Sequence, residues 1–273
     1  MPEPVHFFLH VPKCAGTTVE AHFSRTLGDA FMIAPRWRNP LRDVIGNRYP
    51  SLSPARLAHV RLVSGHSLSR SLAAKFPGRP VRASVLLRDP VSFLLSFYNY
   101  RWARHRERGE PEPPDFAVWR RTQRRNPISR FLLHRHFEIG YPAVYRLSSR
   151  DRFVFLETAF SAFHFVGAWT RCDEAVAGIS RELGVDPEVR RENVGAEPVL
   201  RAADLPEAER GAILEEHALD ALLFERWKDR GFRPGPPAGV EATEAAALRL
   251  DAGDALHYLP ADIESALRRK LWR

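Results

Sequence analysis

Cysteine is scarce in this chain, which has two among its 273 residues. Two cysteines cannot form the disulfide framework of a small secreted domain, and they match no zinc-binding spacing. Long apolar runs are also missing, because none approaches the ~18–20 residues that a membrane-spanning helix needs. The N-terminus, Met-Pro-Glu-Pro, lacks the basic and apolar segments of a secretory signal. These absences predict a cytoplasmic protein without a transmembrane segment, and no metal-binding constellation is visible.

Lysine is nearly as scarce, since only four of the 41 basic residues are lysine, and the formal net charge is +8. The excess lies in residues 1–196, with 30 basic and 18 acidic residues, whereas residues 197–273 have 11 and 15. A basic region attracts anionic ligands, polyanionic glycans or nucleic acid. The aromatic residues are too sparsely interleaved with the arginines to form a nucleic-acid platform. We therefore expect an anionic ligand and no nucleic acid.

Two segments have the pattern of a strand, a short turn and a helix. The apolar run VHFFLHV (5–11) predicts a buried strand, and apolar residues at helical spacing follow it. The run VRASVLL (81–87) predicts a second strand, after which Asp89 is a typical N-cap and Pro90 suits the first helical position. Strands alternating with helices predict an α/β fold with a central parallel sheet flanked by helices. Further strands are predicted at 60–64, 153–157 and 164–169, and helices at 173–183, 205–228 and 261–271, within a domain over 1–232 and a helical extension over 233–273 that packs on it.

The turn after the first predicted strand consists of small residues next to one lysine. Small residues let consecutive backbone N–H groups converge on an anion, and the following helix N-terminus adds partial positive charge. An ordinary strand-to-helix turn with a threonine cap is the alternative. The P-loop of ATPases has its lysine after the glycines, and a cysteine-based phosphatase has an arginine soon after the cysteine, so neither motif is present. The candidate anion-binding residues are Lys13, Cys14, Ala15, Gly16, Thr17 and Thr18.

The segment FFLHVPKCAGTTVEAHF (7–23) resembles the 5′-phosphosulfate-binding loop of sulfotransferases, especially the carbohydrate, heparan-type branch. Those enzymes have a Phe-rich strand, then Pro-Lys, then small residues ending in Thr or Ser. The resemblance, which looks bacterial and family 2-like, covers roughly residues 5–230. It implies a P-loop-NTPase-like sulfotransferase fold whose sulfuryl donor is 3′-phosphoadenosine 5′-phosphosulfate (PAPS). Cys14 departs from the pattern, because Thr or Ser is more usual there, and this removes one hydroxyl donor.

The resemblance also implies a second motif, in which an arginine ends a strand and a serine follows eight residues later. The chain has this motif in SVLLRDPVSFLLSFYNY, with Arg88 and Ser96 at the required step. In the family these two residues bind the 3′-phosphate of the donor. The chemistry fits, because arginine presents a planar fork to phosphate oxygens and a serine on a helix adds a hydroxyl donor.

His66 is the candidate catalytic base. A hydroxyl acceptor that attacks the sulfur must lose its proton to a group with a pKa near working pH, and histidine is the usual choice. His66 ends a predicted strand between the two motifs, and Gly65-His66 resembles the Gly-His segment that carries the base in the family. Some relatives have a second histidine at the position of Ser64, so a relay at this position is in doubt. A buried structural histidine is the alternative, while Lys13 has the second role of stabilising charge on the departing bisphosphate.

The sequence thus predicts an enzyme that transfers a sulfuryl group from PAPS to an acceptor hydroxyl, without a metal. The best acceptor is a carbohydrate. Ten arginines between residues 101 and 135 favour an anionic glycan, although a solvated arginine-rich helix pair explains them equally well. Two other function classes remain open: a nucleotide-dependent phosphotransferase, and a non-catalytic protein that binds anions or nucleic acid.

Overall fold

The computed structural model describes residues 2–35, 52–189 and 197–232. The strands form a five-stranded sheet in which each neighbouring pair is parallel. This confirms the predicted α/β class with a central parallel sheet. The strands are β1 (Val5–Leu9), β2 (Phe31–Ile33), β3 (Leu62–Gly65), β4 (Val81–Leu87) and β5 (Phe165–Ala168).

Helices follow the strands and flank the sheet. In the described part of the chain they are α1 (Gly16–Leu27), α2 (Pro54–Ala58), α3 (Pro90–Arg108), α4 (Phe116–Arg121), α5 (Pro127–Phe131), α6 (Tyr141–Arg146), α7 (Ser149–Ser161), α8 (Cys172–Leu183), α9 (Glu207–Glu216) and α10 (Ala218–Trp227). Short 3-10 turns lie at Gly28–Ala30, Arg70–Lys75, Trp169–Arg171 and Ala202–Asp204, and a π-helical turn lies at Leu132–His136. α1 packs against α8, whereas α10 packs against α5, α7 and β5.

β1 is the central strand of the sheet, which has the order β2-β3-β1-β4-β5. All of its residues are buried, as expected for a parallel strand covered on both faces. From β1 the chain continues to β2 and β3, which lie on one side of this central strand, whereas β4 and β5 lie on its other side. The strand connections therefore run in opposite directions away from the gap between β1 and β4. Ligands of such sheets bind in the crevice at the carboxyl ends of the strands where the connections diverge.

The two predicted strand–turn–helix units are confirmed, with a small shift at one end. β4 has the predicted bounds, whereas β1 ends at Leu9 instead of residue 11. Asp89 is the N-cap of α3, and its carboxylate accepts the backbone N–H of Ser92 at 2.8 Å. The predicted segments 60–64, 164–169 and 173–183 correspond to β3, β5 and α8. The helix predicted at 261–271 and the extension over 233–273 lie outside the described residues.

The strand predicted at 153–157 is wrong, because this segment lies inside α7. A capping box starts that helix: the Ser148 hydroxyl accepts the N–H of Asp151 at 3.0 Å, and the Asp151 carboxylate accepts the N–H of Ser148. The buried residues Phe153 and Leu156 are spaced at three residues and face the core together. The short run FVFLE is apolar on both parities, so its periodicity does not distinguish a strand from a buried helix.

The single helix predicted over 205–228 is also wrong, since it is divided into α9 and α10 at His217. His217 is buried, and its Nδ1 accepts the backbone N–H of Asn126 at 3.0 Å. The neutral histidine is required for this bond, and burial lowers the pKa of His217 to about 4. A contact with the chain before α5 therefore determines where the helix breaks.

Asp220, on the first turn of α10, continues this contact. Its carboxylate accepts the backbone N–H groups of Ile128 and Ser129 at 2.8 and 2.9 Å. Burial raises the pKa of Asp220 to about 6 despite these bonds, which act in the opposite direction. Because α5 and the π-helical turn carry residues of the second cavity described below, α10 holds that wall in place.

Candidate functional site

The loop between β1 and α1 has an unusual backbone. Lys13 and Ala15 both have left-handed conformations, with φ values of 64° and 62°. Left-handed φ values are uncommon outside glycine and frequent in anion-binding loops. α1 then begins at Gly16, and no side chain caps it. The N–H groups of its first turn therefore lack a side-chain acceptor, and this is the arrangement that receives a phosphate or sulfate.

Gly16 has a steric reason to be glycine. A Cβ at this position would lie 2.0 Å from Cδ2 of the buried His10 ring. Real Cβ atoms do not approach carbon this closely, so any side chain here would displace the histidine. Glycine at position 16 therefore leaves room for the His10 ring, and it is also one of the small residues that let the loop backbone approach an anion.

A cavity of about 710 Å³ lies between this loop and α3. This volume is in the range of small-molecule sites. Of the predicted anion-binding residues, Lys13, Thr17, Arg88 and Ser96 line it, whereas Cys14, Ala15, Gly16 and Thr18 are not among its lining residues. The structure thus brings the two sequence motifs together in one cavity, which we call the donor-side cavity. Its other polar lining residues include Ser92, Asn99, Tyr100, Arg104 and Arg201.

Arg88 links the two motifs directly. One of its terminal nitrogens donates to the backbone carbonyl of Lys13 at 2.8 Å, and Nε donates to Ser92 Oγ at 3.2 Å. Its guanidinium lies 4.0 Å from the centre of the ring of Trp169, the residue that follows β5. These three contacts fix the plane of the guanidinium, so the arginine is held before any ligand arrives.

Lys13 and Arg88 bring two positive charges into the donor-side cavity. Burial and the neighbouring arginine lower the pKa of Lys13, and burial lowers the pKa of Arg88. The Lys13 ammonium lies 4.2 Å from the centre of the Tyr100 ring on α3. Lowered pKa values mean that the cations are poorly solvated, so an anion in this cavity would stabilise them.

Cys14 is fully buried, and burial raises the pKa of its thiol. The thiol is therefore protonated at neutral pH, whereas a nucleophilic cysteine must be a thiolate. This agrees with its interpretation as a neutral loop residue. The contribution of Cys14 to an anion site is limited to its place in the backbone.

Asn99 on α3 anchors the segment that forms the far rim of the donor-side cavity. Its amide oxygen accepts the N–H groups of Val199 and Leu200 at 2.9 and 3.1 Å, and its amide nitrogen donates to the Leu200 carbonyl at 2.8 Å. The sequence gives no signal for this role. The three bonds fix the position of Leu200 and Arg201 over the cavity.

His66 lines a second cavity of about 710 Å³, on the other side of the same loop. Pro12 lines this cavity, while the next residue, Lys13, lines the donor-side cavity. His66 therefore does not lie in the same cavity as Arg88 and Ser96. We call the second cavity the acceptor-side cavity, and its polar lining includes His10, Glu20, Ser67, Arg124, Arg130, His134 and Arg135.

His66 lies in a network of side chains behind the loop. Its ring lies 3.9 Å from the ring of His10, measured between centres. His10 Nδ1 lies 2.7 Å from Glu20 Oε1, which also accepts the Ser64 hydroxyl at 2.9 Å. Burial opposes ionisation of Glu20, but the contacts with His10 and Ser64 outweigh it and lower the pKa of the carboxyl. An ionised carboxylate thus stands next to the paired histidines.

The contact between His66 and the backbone identifies which ring nitrogen is able to take a proton. His66 Nδ1 lies 2.7 Å from the carbonyl oxygen of His10. A carbonyl only accepts, so Nδ1 carries the hydrogen in the neutral ring, and Nε2 is the basic nitrogen. His66 is exposed to solvent, in contrast to the buried His10. The alternative of a buried structural histidine is therefore wrong for His66.

The arginine-rich segment between 101 and 135 is divided in the structure. Arg120 is buried and forms ion pairs with Glu209 and Glu216, so it supports the contact with α9 and lies away from the solvent. Arg124 and Arg135 are half-buried and line the acceptor-side cavity. The segment therefore does not form a uniformly solvated helix pair.

His10 and Glu20 were not predicted as site residues. His10 lies within the apolar run 5–11, directly after β1, where it looks like part of the core, and Glu20 lies one turn into α1. The tertiary structure brings the two side chains together, with His10 Nδ1 2.7 Å from Glu20 Oε1. The available signal was position, since polar residues at the carboxyl end of a central parallel strand are site candidates.

Comparisons with known proteins add no assignment. No family model matches this chain, and the search of curated proteins found no match. Across residues 2–35, 52–189 and 197–232, none of the helices combines the length and the apolar character that crossing a membrane requires.

Proposed function

We propose that this protein is a PAPS-dependent sulfotransferase with a P-loop-NTPase-like sulfotransferase fold. The observation that carries the proposal is the meeting of the two motifs: Arg88 donates to the Lys13 carbonyl at 2.8 Å, and both side chains line one cavity with Ser96. Two partly buried cations and a hydroxyl donor suit the two phosphate-bearing ends of a nucleotide bisphosphate. The sequence motifs, with their resemblance to the sulfotransferase loop, select a sulfuryl donor over other anions.

In this transfer the two cavities have different roles. An acceptor hydroxyl in the acceptor-side cavity loses its proton to Nε2 of His66 while its oxygen bonds to the sulfur. The bond between the sulfur and the bridging phosphate oxygen breaks, and the electron pair stays on the bisphosphate. Lys13 and the first-turn N–H groups of α1 stabilise that charge. His10 and Glu20 act as positioning residues, because the His10 carbonyl contacts His66 Nδ1 and Glu20 contacts the His10 ring.

The first test is a calorimetric titration with adenosine 3′,5′-bisphosphate, with AMP and ATP as comparison ligands. We expect Arg88→Gln to weaken bisphosphate binding about 10- to 100-fold, because charge-assisted bonds to phosphate are lost. Ser96→Ala is expected to weaken it about three- to tenfold, since one hydroxyl donor is lost. Arg181→Gln, an exposed arginine of α8, is the matched control and leaves the affinity unchanged.

The outcomes separate the proposed function from its alternatives. Equal affinity for AMP and the bisphosphate would mean that no 3′-phosphate site exists and would overturn the proposal. Tighter binding of ATP would indicate a nucleotide-dependent phosphotransferase. Binding that falls steeply with salt and that no single variant affects would indicate a general anion binder.

We further propose that the acceptor is an acidic glycan. The support is the pair Arg124 and Arg135, which line the cavity that contains His66. The variant Arg124→Gln/Arg135→Gln is expected to raise KM for heparosan, an acidic polysaccharide, about tenfold with little change in kcat, because charge–charge binding is lost before the chemical step. Bisphosphate release from PAPS measures both constants.

Two controls accompany this variant. Arg121→Gln changes an exposed arginine that is not among the lining residues of the acceptor-side cavity, and it should leave KM unchanged. Arg120→Gln is avoided, because loss of a buried ion pair destabilises the fold. An unchanged KM in the double variant would contradict an anionic acceptor without affecting the donor site.

A further inference from the structure

A second cluster of chemistry-bearing side chains lies at the opposite end of the sheet. His6 is the second residue of β1, and His164 directly precedes β5, so both lie near the amino ends of their strands. Glu182, near the end of α8, approaches both: its Oε1 lies 2.8 Å from His164 Nε2, and its Oε2 lies 3.5 Å from His6 Nε2. Loop 12–18 follows the carboxyl end of β1, so this cluster is separate from the two cavities described above.

His6 is the unexplained member of the cluster. Its side chain is 1% exposed, yet within the described residues neither ring nitrogen has a hydrogen-bond partner. A buried polar group without a partner costs free energy, so such groups usually have a ligand, a bound water or a functional reason.

We propose that His6, His164 and Glu182 form a zinc-binding site. One donor atom from each residue lies within 4.8 Å of the other two. Two ligands about 2.1 Å from a tetrahedral zinc ion lie about 3.4 Å apart. His6 Nε2 and Glu182 Oε2 lie 3.5 Å apart, close to this spacing, whereas His164 Nε2 and Glu182 Oε1 lie 2.8 Å apart, at hydrogen-bond distance. Zinc would replace that hydrogen bond, and the two atoms would move apart slightly. Two imidazoles and one carboxylate are a ligand set that zinc accepts with a fourth position open to water.

Arg82 supports the carboxylate from outside the cluster. It is paired with His6 in the register of β1 and β4, and one of its terminal nitrogens donates to Glu182 Oε2 at 2.5 Å. Carboxylates bound to metal ions commonly have such an outer partner, which fixes their orientation. Oε2 thus faces both Arg82 and His6, while Oε1 faces His164. Because the ligands come from β1, from the residue before β5 and from α8, zinc would join three elements that are far apart in the chain.

Zinc binding is measured on the full chain without an affinity tag, by calorimetry and by the visible spectrum of the cobalt(II) form. We expect one zinc ion per chain and a tetrahedral cobalt spectrum. His164→Ala and Glu182→Gln should each weaken zinc binding at least about tenfold. The matched controls His59→Ala and Glu174→Gln change an exposed histidine and an exposed carboxylate of α8 and leave it unchanged.

The thermal midpoint gives an independent measure, because a ligand that binds the folded state raises it. Zinc should raise the midpoint of the wild-type protein and of both controls, and at the same concentration it should raise the midpoint of His164→Ala or Glu182→Gln by less. If the wild-type protein bound no zinc, or if both ligand variants bound it as tightly as wild type, the site would be refuted. Chelation should leave bisphosphate affinity unchanged, so this result is independent of the proposed function.

Discussion

His66→Ala is expected to lower turnover by about 10²- to 10⁴-fold, the usual contribution of a general base. The acceptor hydroxyl would then lose Nε2 of His66, the atom to which the proposed mechanism transfers its proton. Affinity for adenosine 3′,5′-bisphosphate should not change, because His66 and Arg88 line different cavities. Turnover is measured as bisphosphate release from PAPS with heparosan, and affinity by calorimetry.

Two further variants determine whether the histidine acts as a base. His59→Ala removes an exposed histidine at the end of α2 and should leave turnover at the wild-type level. Glu20→Gln retains the size of the side chain but removes the negative charge beside His10, so it should lower kcat and shift the acidic limb of its pH profile. Turnover of His66→Ala within about twofold of wild type would exclude His66 from the mechanism. A proportional loss of bisphosphate affinity would instead indicate a disturbed loop.

Acidification from pH 6.5 to pH 4 is expected to lower the free energy of unfolding by on the order of 5 kcal/mol. Burial lowers the pKa of His6, His136 and His217 to about 4. The unfolded chain therefore binds protons in this range that the folded chain does not, and stability is lost as the pH falls. Asp220 acts in the opposite direction, because its pKa is raised to about 6 and the folded state holds its proton. The net uptake on unfolding at pH 5 is about two protons.

Burial is the main reason that His136 and His217 stay neutral. Arg70 beside His136, and Arg125 and Arg120 beside His217, act in the same direction. The Leu68 carbonyl and Glu216 act against it. Urea unfolding at pH 7, 5 and 4 measures the dependence. His136→Leu should flatten the dependence by removing one titrating group, whereas the exposed-site variant His59→Gln should retain it. Constant stability across this range would contradict the assignment of neutral buried histidines.

In the arginine-rich segment between residues 101 and 135, the charge pattern alone does not predict which side chains are buried. From the sequence, Arg120, Arg124 and Arg135 are equivalent members of one run. In the structure Arg120 is buried, while Arg124 and Arg135 line a cavity. The carboxylates that select Arg120 lie on α9, 89 and 96 residues away along the chain. The burial of Arg120 depends on partners that are far away along the chain, and the spacing of residues within the segment does not predict those partners.

The sequence by itself determined the two local units and the order of their motifs. β4, the Asp89 cap and the loop from residue 12 to residue 18 follow from patterns within about ten residues, where hydrogen bonding and hydrophobic periodicity are local. It also determined the parallel α/β class, because strands that alternate with helices have few other solutions. The joint presence of Arg88 and Lys13 in one cavity was expected from the motifs and agrees with the sheet order.

Tertiary structure alone decided the rest. The pairing of His10 with Glu20, the division of the helix at His217, and the cluster of His6, His164 and Glu182 each depend on contacts between distant segments. For His10 and His217, the packing of another element supplies the partner of a buried polar group, since desolvation makes an unpaired group costly. For His6, packing brings His164 and Glu182 close to a ring without a hydrogen-bond partner among the described residues. Local pattern fixes which elements form, and the need to satisfy buried polar groups across elements fixes how their ends and side chains meet.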